Sequence, residues 1–226
     1  YVRAKDKVGN YGSTDNDTII VNQDLVFSDP SPSNQSTNEC ITTLNQLEIT
    51  IEDPDGDSFN WTIETSPNVG SDSANDESNG TKTCSISPLS AGTQYTWFVN
   101  ATDGYSWNNE TFIFTTGESP VQSSPIPTNQ STGECPNTLN KLQITINDPD
   151  ADTFNWTIET SPNIGSDSGN GENNGTKNCT IAGLTSGTTY TWFVNSTDGC
   201  TWTNKTYIFT SNQAPILSSE SPSNQS

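Results

Sequence analysis

Apolar and polar residues alternate along several short stretches of this chain, as they do in half-buried β-strands. In the sequence Phe-Asn-Trp-Thr-Ile at 59–63, the apolar residues would face a core and Asn60 would face solvent. The segments 47–51, 95–99 and 112–114 show the same period of two. The sequence therefore predicts β-strands at these places, and no helical period competes with them.

Turn-forming residues separate the predicted strands. Asp53–Asp57 reads Asp-Pro-Asp-Gly-Asp, and the polar stretch 66–82 is long enough to hold one further short strand. About seven strands in roughly one hundred residues, with turns between them, are typical of an immunoglobulin-like β-sandwich.

The pattern occurs twice, with a period of 95 residues and no insertion or deletion between the copies. A unit of this length is a domain, because stacked solenoid repeats have periods of roughly 20–50 residues. Matching positions are Cys40 and Cys135, Trp61 and Trp156, Cys84 and Cys179, Trp97 and Trp192, Asp103 and Asp198, and Trp107 and Trp202.

The two ends of the sequence resemble parts of further copies. Residues 31–36 reappear as residues 221–226, and we expect a longer parent protein or partner subunits to complete the outer domains. The predicted domains are residues 1–30, the C-terminal strands of a preceding sandwich domain; 31–119, the first complete sandwich; 120–214, the second; and 215–226, a linker and the first strand of a following domain.

Composition narrows the function. The 27 acidic and 7 basic residues give a net charge of −20, which disfavours a nucleic-acid partner. Only 28% of residues are hydrophobic, but the aromatic residues recur at fixed places, so we expect a sparse aromatic core rather than disorder.

No run approaches the roughly 18 apolar residues of a membrane span. The chain has no His and no nucleophile–base set or phosphate-binding loop, so we do not expect an enzyme.

Asparagine sequons are unusually frequent. A chain rich in Asn, Ser and Thr contains sequons by composition alone, but strand alternation places Asn60 and Asn100 on the solvent face. Their position predicts N-linked glycans and hence a secreted or cell-surface protein. The thirteen candidates are Asn16, Asn34, Asn60, Asn79, Asn100, Asn109, Asn129, Asn155, Asn174, Asn178, Asn195, Asn204 and Asn224.

A family resemblance lies in the segment Leu89–Tyr95, followed by Trp97 and Val99, and in its copy Leu184–Tyr190. The segment resembles the fibronectin type III pattern at the turn into the sixth strand. The resemblance implies an all-β fold of tandem Ig-like, fibronectin type III-like β-sandwich domains, with the hydroxyl of Tyr95 bonded back to the turn backbone in a tyrosine corner.

Together with the Pro-Ser-Asn-Gln-Ser and Asp-Pro-Asp-Gly-Asp phrases, the repeats resemble tandem Ig-like repeats of archaeal extracellular surface proteins. They depart from ordinary fibronectin type III modules in having two cysteines per domain, which leaves a different sandwich topology open.

The repeated cysteines predict one structural disulfide per domain, Cys40 with Cys84 and Cys135 with Cys179. Such a bridge would pin the end of the polar stretch and contribute about 2–4 kcal/mol. The alternative is that the cysteines are buried thiols. A zinc site is not expected, because the chain has neither His nor a Cys-x-x-Cys motif.

Cys200 has no counterpart, since the first copy carries Tyr105 at this position. An odd cysteine in a secreted chain indicates an intermolecular disulfide or a free thiol. A partly buried loop thiol is the other interpretation.

Repeated aspartates form the last candidate site. Two tight turns at one end of each sandwich would bring carboxylates together beside the preceding linker, where they could hold calcium, which prefers six to eight oxygen ligands. The alternative is that they serve only turn chemistry. The residues are Asp53, Asp55, Asp57 and Asp103 in the first copy and Asp148, Asp150, Asp152 and Asp198 in the second.

These observations favour a structural role as a self-associating segment of a glycosylated extracellular filament, sheath or stalk. The alternative is a cell-surface adhesin or carbohydrate-binding module. It would use outward-facing aromatics such as Phe98 and Phe193, which alternate with inward-facing residues.

Overall fold

The computed structural model describes residues 21–215, which form two β-sandwiches of eight strands each. The first sandwich contains β1 (Val26–Ser31), β2 (Ser36–Glu39), β3 (Gln46–Glu52), β4 (Phe59–Ser66), β5 (Ser71–Glu77), β6 (Gly80–Ser85), β7 (Gln94–Thr102) and β8 (Trp107–Thr116). The second contains β9 (Val121–Ile126), β10 (Ser131–Glu134), β11 (Lys141–Asn147), β12 (Phe154–Ser161), β13 (Asp167–Glu172), β14 (Gly175–Thr180), β15 (Thr189–Thr197) and β16 (Trp202–Ser211).

Each sandwich packs a three-stranded sheet against a five-stranded one. In the first, the orders are β1-β3-β6 and β2-β8-β7-β4-β5; in the second, β9-β11-β14 and β10-β16-β15-β12-β13. The neighbours run antiparallel except for the short strands β2 and β10, which run parallel to the last strand of their sandwich. This is the predicted all-β, Ig-like and fibronectin type III-like fold, and the extra cysteines do not change its topology.

The cores follow from the alternation seen in the sequence. Inward-facing residues such as Leu47, Ile49 and Ile51 of β3 are fully buried, and each sandwich has its own apolar cluster. Aromatic rings from neighbouring strands pack against one another, with the ring centroids of Trp97 and Phe112 4.5 Å apart. Burial of each large apolar side chain contributes roughly 1.5–3 kcal/mol, which explains how few apolar residues suffice.

The polar stretch 66–82 holds more structure than the single short strand expected there. It contains β5 and the start of β6. The Lys82 ammonium, on β6, is buried, contacts the Glu77 carboxylate at 2.8 Å and lies 5.3 Å from the ring centroid of Phe59. Lys177, Glu172 and Phe154 repeat this arrangement in the second sandwich.

The predicted start of the first domain is wrong by several residues. Strand β1 pairs with β3 of the first sandwich, with Phe27 opposite Ile51. Residues 26–30 therefore belong to the first sandwich and not to a preceding domain. Predictions for residues 1–20 and 216–226 lie outside the described residues.

The tyrosine corner is confirmed in both copies. The Tyr95 hydroxyl accepts a hydrogen bond from the backbone N–H of Ser90 at 2.9 Å. Tyr190 does the same for Thr185 at 2.8 Å. Each bond ties the turn before the long seventh strand of the sandwich to that strand.

Tyr95→Phe should lower the stability of the first sandwich by about 1–2 kcal/mol, because it leaves the Ser90 N–H without its partner. Differential scanning calorimetry would record a lower Tm for that sandwich alone. Tyr207→Phe is the matched control, since Phe112 occupies the same place in the first copy and packs on Trp97. Equal losses from both variants would contradict a specific role for the corner hydroxyl.

Candidate functional site at the domain junction

The two sandwiches are joined by a disulfide between Cys40 and Cys200, whose Cα atoms are 5.4 Å apart. Cys40 directly follows β2, and Cys200 lies in the loop between β15 and β16. The bond connects positions 160 residues apart in the sequence and is an inter-domain bridge.

The predicted pairs Cys40–Cys84 and Cys135–Cys179 are therefore wrong. Cys84 and Cys179 are free thiols that are fully buried in the two cores, and Cys135 is a free, exposed thiol. Burial raises the pKa of Cys84 and Cys179, because the thiolate would lose its hydration. These two residues behave as small apolar side chains, which was the alternative left open by the sequence.

Local hydrogen bonds present both sulfur atoms to the junction. The Cys40 carbonyl accepts the backbone N–H groups of Thr43 and Leu44, at 3.2 and 2.9 Å, in a tight turn. In the other domain, the Asp198 carboxylate accepts the N–H of Cys200 at 2.7 Å and shapes its loop. The Thr42 hydroxyl then donates to the Cys200 carbonyl across the junction at 3.2 Å.

The repeated aspartates bind the incoming linker. The Asp150 carboxylate accepts the backbone N–H of Glu118, in the linker, at 2.6 Å. Asp152 accepts the side-chain amide of Asn38, in the first sandwich, at 3.1 Å. The aspartate turn of the second sandwich is therefore a docking surface for the domain before it.

The first sandwich holds the segment that precedes it through one equivalent bond and one different bond. Asp55, the counterpart of Asp150, accepts the backbone N–H of Gln23 at 2.6 Å. Asp103 accepts the side-chain amide of Asn22 at 2.8 Å. The Asp55–Gln23 and Asp150–Glu118 bonds join equivalent positions of the two copies, so this linker contact belongs to the repeat, whereas the Asp103–Asn22 and Asp152–Asn38 bonds are each particular to one junction.

The first aspartate of each turn is structural. Asp53 and Asp148 are almost fully buried, and their Oδ1 atoms accept backbone N–H groups of their own turns. Desolvation raises the pKa of Asp148, and the charges of Asp150 and Asp152 raise it further.

Calcium binding by these acids stays a prediction. The Oδ2 atoms of Asp53 and Asp148 are buried without a hydrogen-bond partner. Yet nowhere in residues 21–215 do three or more Asp, Glu, Cys or His side chains lie close enough together to hold a metal ion. Asp57, the third acid of the first turn, is exposed. What the contacts support directly is turn chemistry and linker docking.

A shallow cleft of about 280 Å³ lies at the junction. Its lining comes from both sandwiches and the linker and includes both cysteines of the disulfide. The lining residues are Asn38, Cys40, Gly117, Asp152, Asp198, Gly199 and Cys200.

Eleven of the thirteen sequons lie within the described residues, and their glycosylation stays a prediction. Asn100 and Asn195 are half-buried, and the other nine asparagines are exposed. Asn16 and Asn224 lie outside the described part of the chain.

Two sequon asparagines also have a structural role that the sequence did not indicate. The Asn79 carbonyl oxygen accepts the Asp53 N–H at 2.7 Å, and its amide donates to the Asp53 carbonyl at 3.0 Å. Asn174 makes the same pair of bonds with Asp148. The 26-residue spacing between each aspartate and its asparagine, repeated in both copies, was the available signal.

Of the two aromatics expected to face outward, Phe193 is exposed and Phe98 is not. Phe193 is 37% exposed and Phe98 is half-buried, whereas Tyr105, Trp107 and Trp202 are 78%, 65% and 62% exposed. The most exposed rings therefore lie in or just after the loop before the last strand, and Tyr105 is the counterpart of Cys200.

No protein-family model matches the chain, and a search of the curated proteins finds no match. The comparison with solved structures finds tandem-domain proteins of low identity. Human protocadherin-24 EC1-2 is 12% identical, with a TM-score of 0.48, over 86% of this chain and 100% of that one. The FN1-FN3 domains of chicken CNTN1 are 11% identical, with a TM-score of 0.30, over 82% and 67%.

A biofilm associated protein, in its BSP domain, is 16% identical with a TM-score of 0.27, and the match covers 84% of this chain. The chain spans 30% of the length of that protein. These identities and TM-scores assign neither a family nor a function. The described residues also contain no helix that is long and apolar enough to cross a membrane.

Thiol counting distinguishes the observed bridge from the pairs predicted within each domain. In the native chain an alkylating reagent should label only Cys135, because Cys84 and Cys179 are buried and the other two cysteines are bonded. Unfolding without reduction should raise the count to three, and reduction to five, by intact mass. Cys200→Tyr, which installs the residue of the first copy, should expose Cys40 to the reagent. A single labelled thiol after unfolding would contradict the bridge.

Proposed function

We propose that this chain is a structural segment of a glycosylated extracellular filament, sheath or stalk built from tandem β-sandwich domains. The observation that carries the proposal is the junction, where a disulfide and a hydrogen-bonded linker hold one sandwich against the next. A structural array needs fixed angles between its domains, whereas domains that work independently are served by free linkers.

The chemistry of the junction supports an extracellular location. Disulfides persist in oxidising compartments and are rare in the cytosol. The bridge is not needed to complete either apolar core, because each sandwich has its own. Its effect is to restrict the rotation of one domain about the linker, which is a mechanical function.

The surface of the five-stranded sheets supports a glycan coat. Asn60, Asn100 and Asn109 lie on three neighbouring strands of the first sandwich, and Asn100 pairs directly with Asn109 across β7 and β8. The net charge of −20 adds repulsion from other acidic surfaces. Such a coat suits the surface of an extracellular fibre, and a relationship to archaeal surface proteins is part of the same proposal.

Self-association would extend the array. The linker-docking acids are present on the first sandwich as well as on the second, so a further sandwich can precede the first in the same head-to-tail manner. Head-to-tail contacts that do not close into a ring give filaments.

An adhesin or carbohydrate-binding module is the second candidate. The observation in its favour is the exposure of Trp107 and Trp202, because flat aromatic rings in solvent often mark a binding surface. Covering of these rings by a neighbouring domain or a glycan would favour the structural role.

Imaging of the native assembly by cryo-electron microscopy tests the proposal. We expect a thin fibre with an axial repeat of one sandwich domain and glycan density at exposed sequons such as Asn60 and Asn155. A dispersed, compact particle would contradict the structural role. Saccharide binding that is lost in Trp107→Ala and Trp202→Ala would establish the second candidate instead.

Small-angle X-ray scattering of the recombinant chain tests the mechanical step separately. The unaltered chain should fit one inter-domain angle, and Cys200→Tyr should require a range of angles. Cys135→Ser is the control, because it removes a cysteine that takes no part in this junction. An unchanged profile for Cys200→Tyr would show that the bridge does not set the angle.

A further inference from the structure

Cys135 occupies the same local structure as the bridged Cys40. Its carbonyl accepts the backbone N–H groups of Thr138 and Leu139 at 3.1 and 2.9 Å, in the same turn that holds Cys40. Both residues directly follow the short parallel strand of their sandwich. The difference is that the Cys40 sulfur is bonded, whereas Cys135 is exposed and free.

The chain also leaves the two sandwiches by the same route. In the first, the Gly117 N–H donates to the Glu39 carbonyl at 3.1 Å, and the Gly117 carbonyl accepts the Gly92 N–H. In the second, Asn212 donates to the Glu134 carbonyl at 2.7 Å and accepts the Gly187 N–H. A domain carried on this second linker would therefore be directed towards Cys135 as the second sandwich is directed towards Cys40.

We propose that Cys135 is one half of a second inter-domain disulfide, whose partner is a cysteine in the loop before the last strand of a further sandwich domain of the second type. This inference rests on the proposed tandem array and names the partner that continues it. It does not rest on an isolated cysteine, because the repeat provides the same turn, in the same chain, with the bond already made.

The partner must be of the second type because the two copies differ at the receiving position. The second copy has Cys200 there and the first has Tyr105, which is 78% exposed. A first-type domain can hold the linker through Asp55, the counterpart of Asp150, but cannot form the disulfide. The residue at this position thus decides which junctions of an array are covalent.

The surroundings of the Cys135 thiol favour its reactive thiolate form. A hydrogen bond from the Thr138 side chain and one from the Asn137 backbone lower its pKa, so that the reactive thiolate forms at a lower pH. The buried Cys84 and Cys179 have raised pKa values and no access to solvent, so they do not compete.

The bond forms by two thiol–disulfide exchanges with a small disulfide oxidant such as oxidised glutathione. The Cys135 thiolate attacks one sulfur of the oxidant, forming a mixed disulfide and releasing one glutathione thiolate. The partner cysteine thiolate then attacks the Cys135 sulfur and releases the second glutathione. Two protein thiols are oxidised, one oxidant disulfide is reduced to two thiols, and the two protons pass to the released thiolates.

The test is an extended chain, in which a second copy of residues 121–215 is joined after Pro215. The appended copy carries Cys135→Ser, so that Cys135 of the original sandwich is unique. After refolding with oxidised and reduced glutathione, we expect Cys135 to lose its alkylation label and to appear in a disulfide-linked peptide with the appended Cys200. Three results would overturn the inference: a Cys135 that remains labelled, a disulfide between two Cys135 residues of separate chains, or a persistent glutathione adduct of Cys135.

The matched control is the same extended chain with the appended Cys200 changed to Tyr, the residue of the first copy. Cys135 should then be fully labelled while the Cys40–Cys200 bridge remains. If the control also protects Cys135, the inference fails, because the protection does not come from the receiving loop.

Disulfide mapping of the native material, alkylated before digestion, keeps the inference testable if the extended chain does not fold. It should yield Cys135 linked to a peptide with the sequence Asp-Gly-Cys, and unlinked Cys135 would overturn the inference. The proposed function can fail independently of this inference. A bridged extended chain in the absence of native fibres would contradict the filament proposal only. Native fibres with a free Cys135 would contradict the second disulfide only.

Discussion

The Cys40–Cys200 disulfide is the strongest described contact between the two sandwiches, which it joins at a second point besides the linker. The two apolar clusters are separate, and the remaining contacts between the domains are polar hydrogen bonds at an open surface. Each such bond contributes about 0.5–1.5 kcal/mol and exchanges readily with water. The disulfide is a second covalent connection besides the linker, and two connections restrict the rotations that the hydrogen bonds alone would permit.

The aspartates show how one motif serves both a turn and a junction. Asp148 is buried and orders its own turn, and this leaves Asp150 and Asp152 at the surface, aimed at the preceding domain. At the first sandwich, burial alone would raise the pKa of Asp103. Hydrogen bonds from Asn22 and from the backbone of the loop outweigh this effect and lower the pKa. The linker therefore stabilises the charged form of the acid that binds it.

The sequence predicted what depends on local pattern. Alternation located the buried strands, and the Leu-to-Tyr segment located the tyrosine corner. It failed for the contact between the copies. Pairing the two cysteines within each repeat missed a disulfide between residues 160 positions apart. The start of the first sandwich was missed because β1 begins before the conspicuous repeated phrase. The pair of hydrogen bonds from Asn79 to the Asp53 backbone was not predicted, because asparagine is the residue that both a sequon and such a structural amide require.

Contacts that similar repeats share cannot specify which domain lies next to which. Both copies use the equivalent acids Asp55 and Asp150 for the same linker hydrogen bond, so this bond cannot distinguish one neighbour from another. A residue that differs between matching positions of the copies can distinguish them. The loop before the last strand has such a difference at the junction, with Tyr105 in the first copy and Cys200 in the second. Burial of Cys84 and Cys179 complements it, because thiols sealed in each core cannot mispair with the cysteines that join the domains.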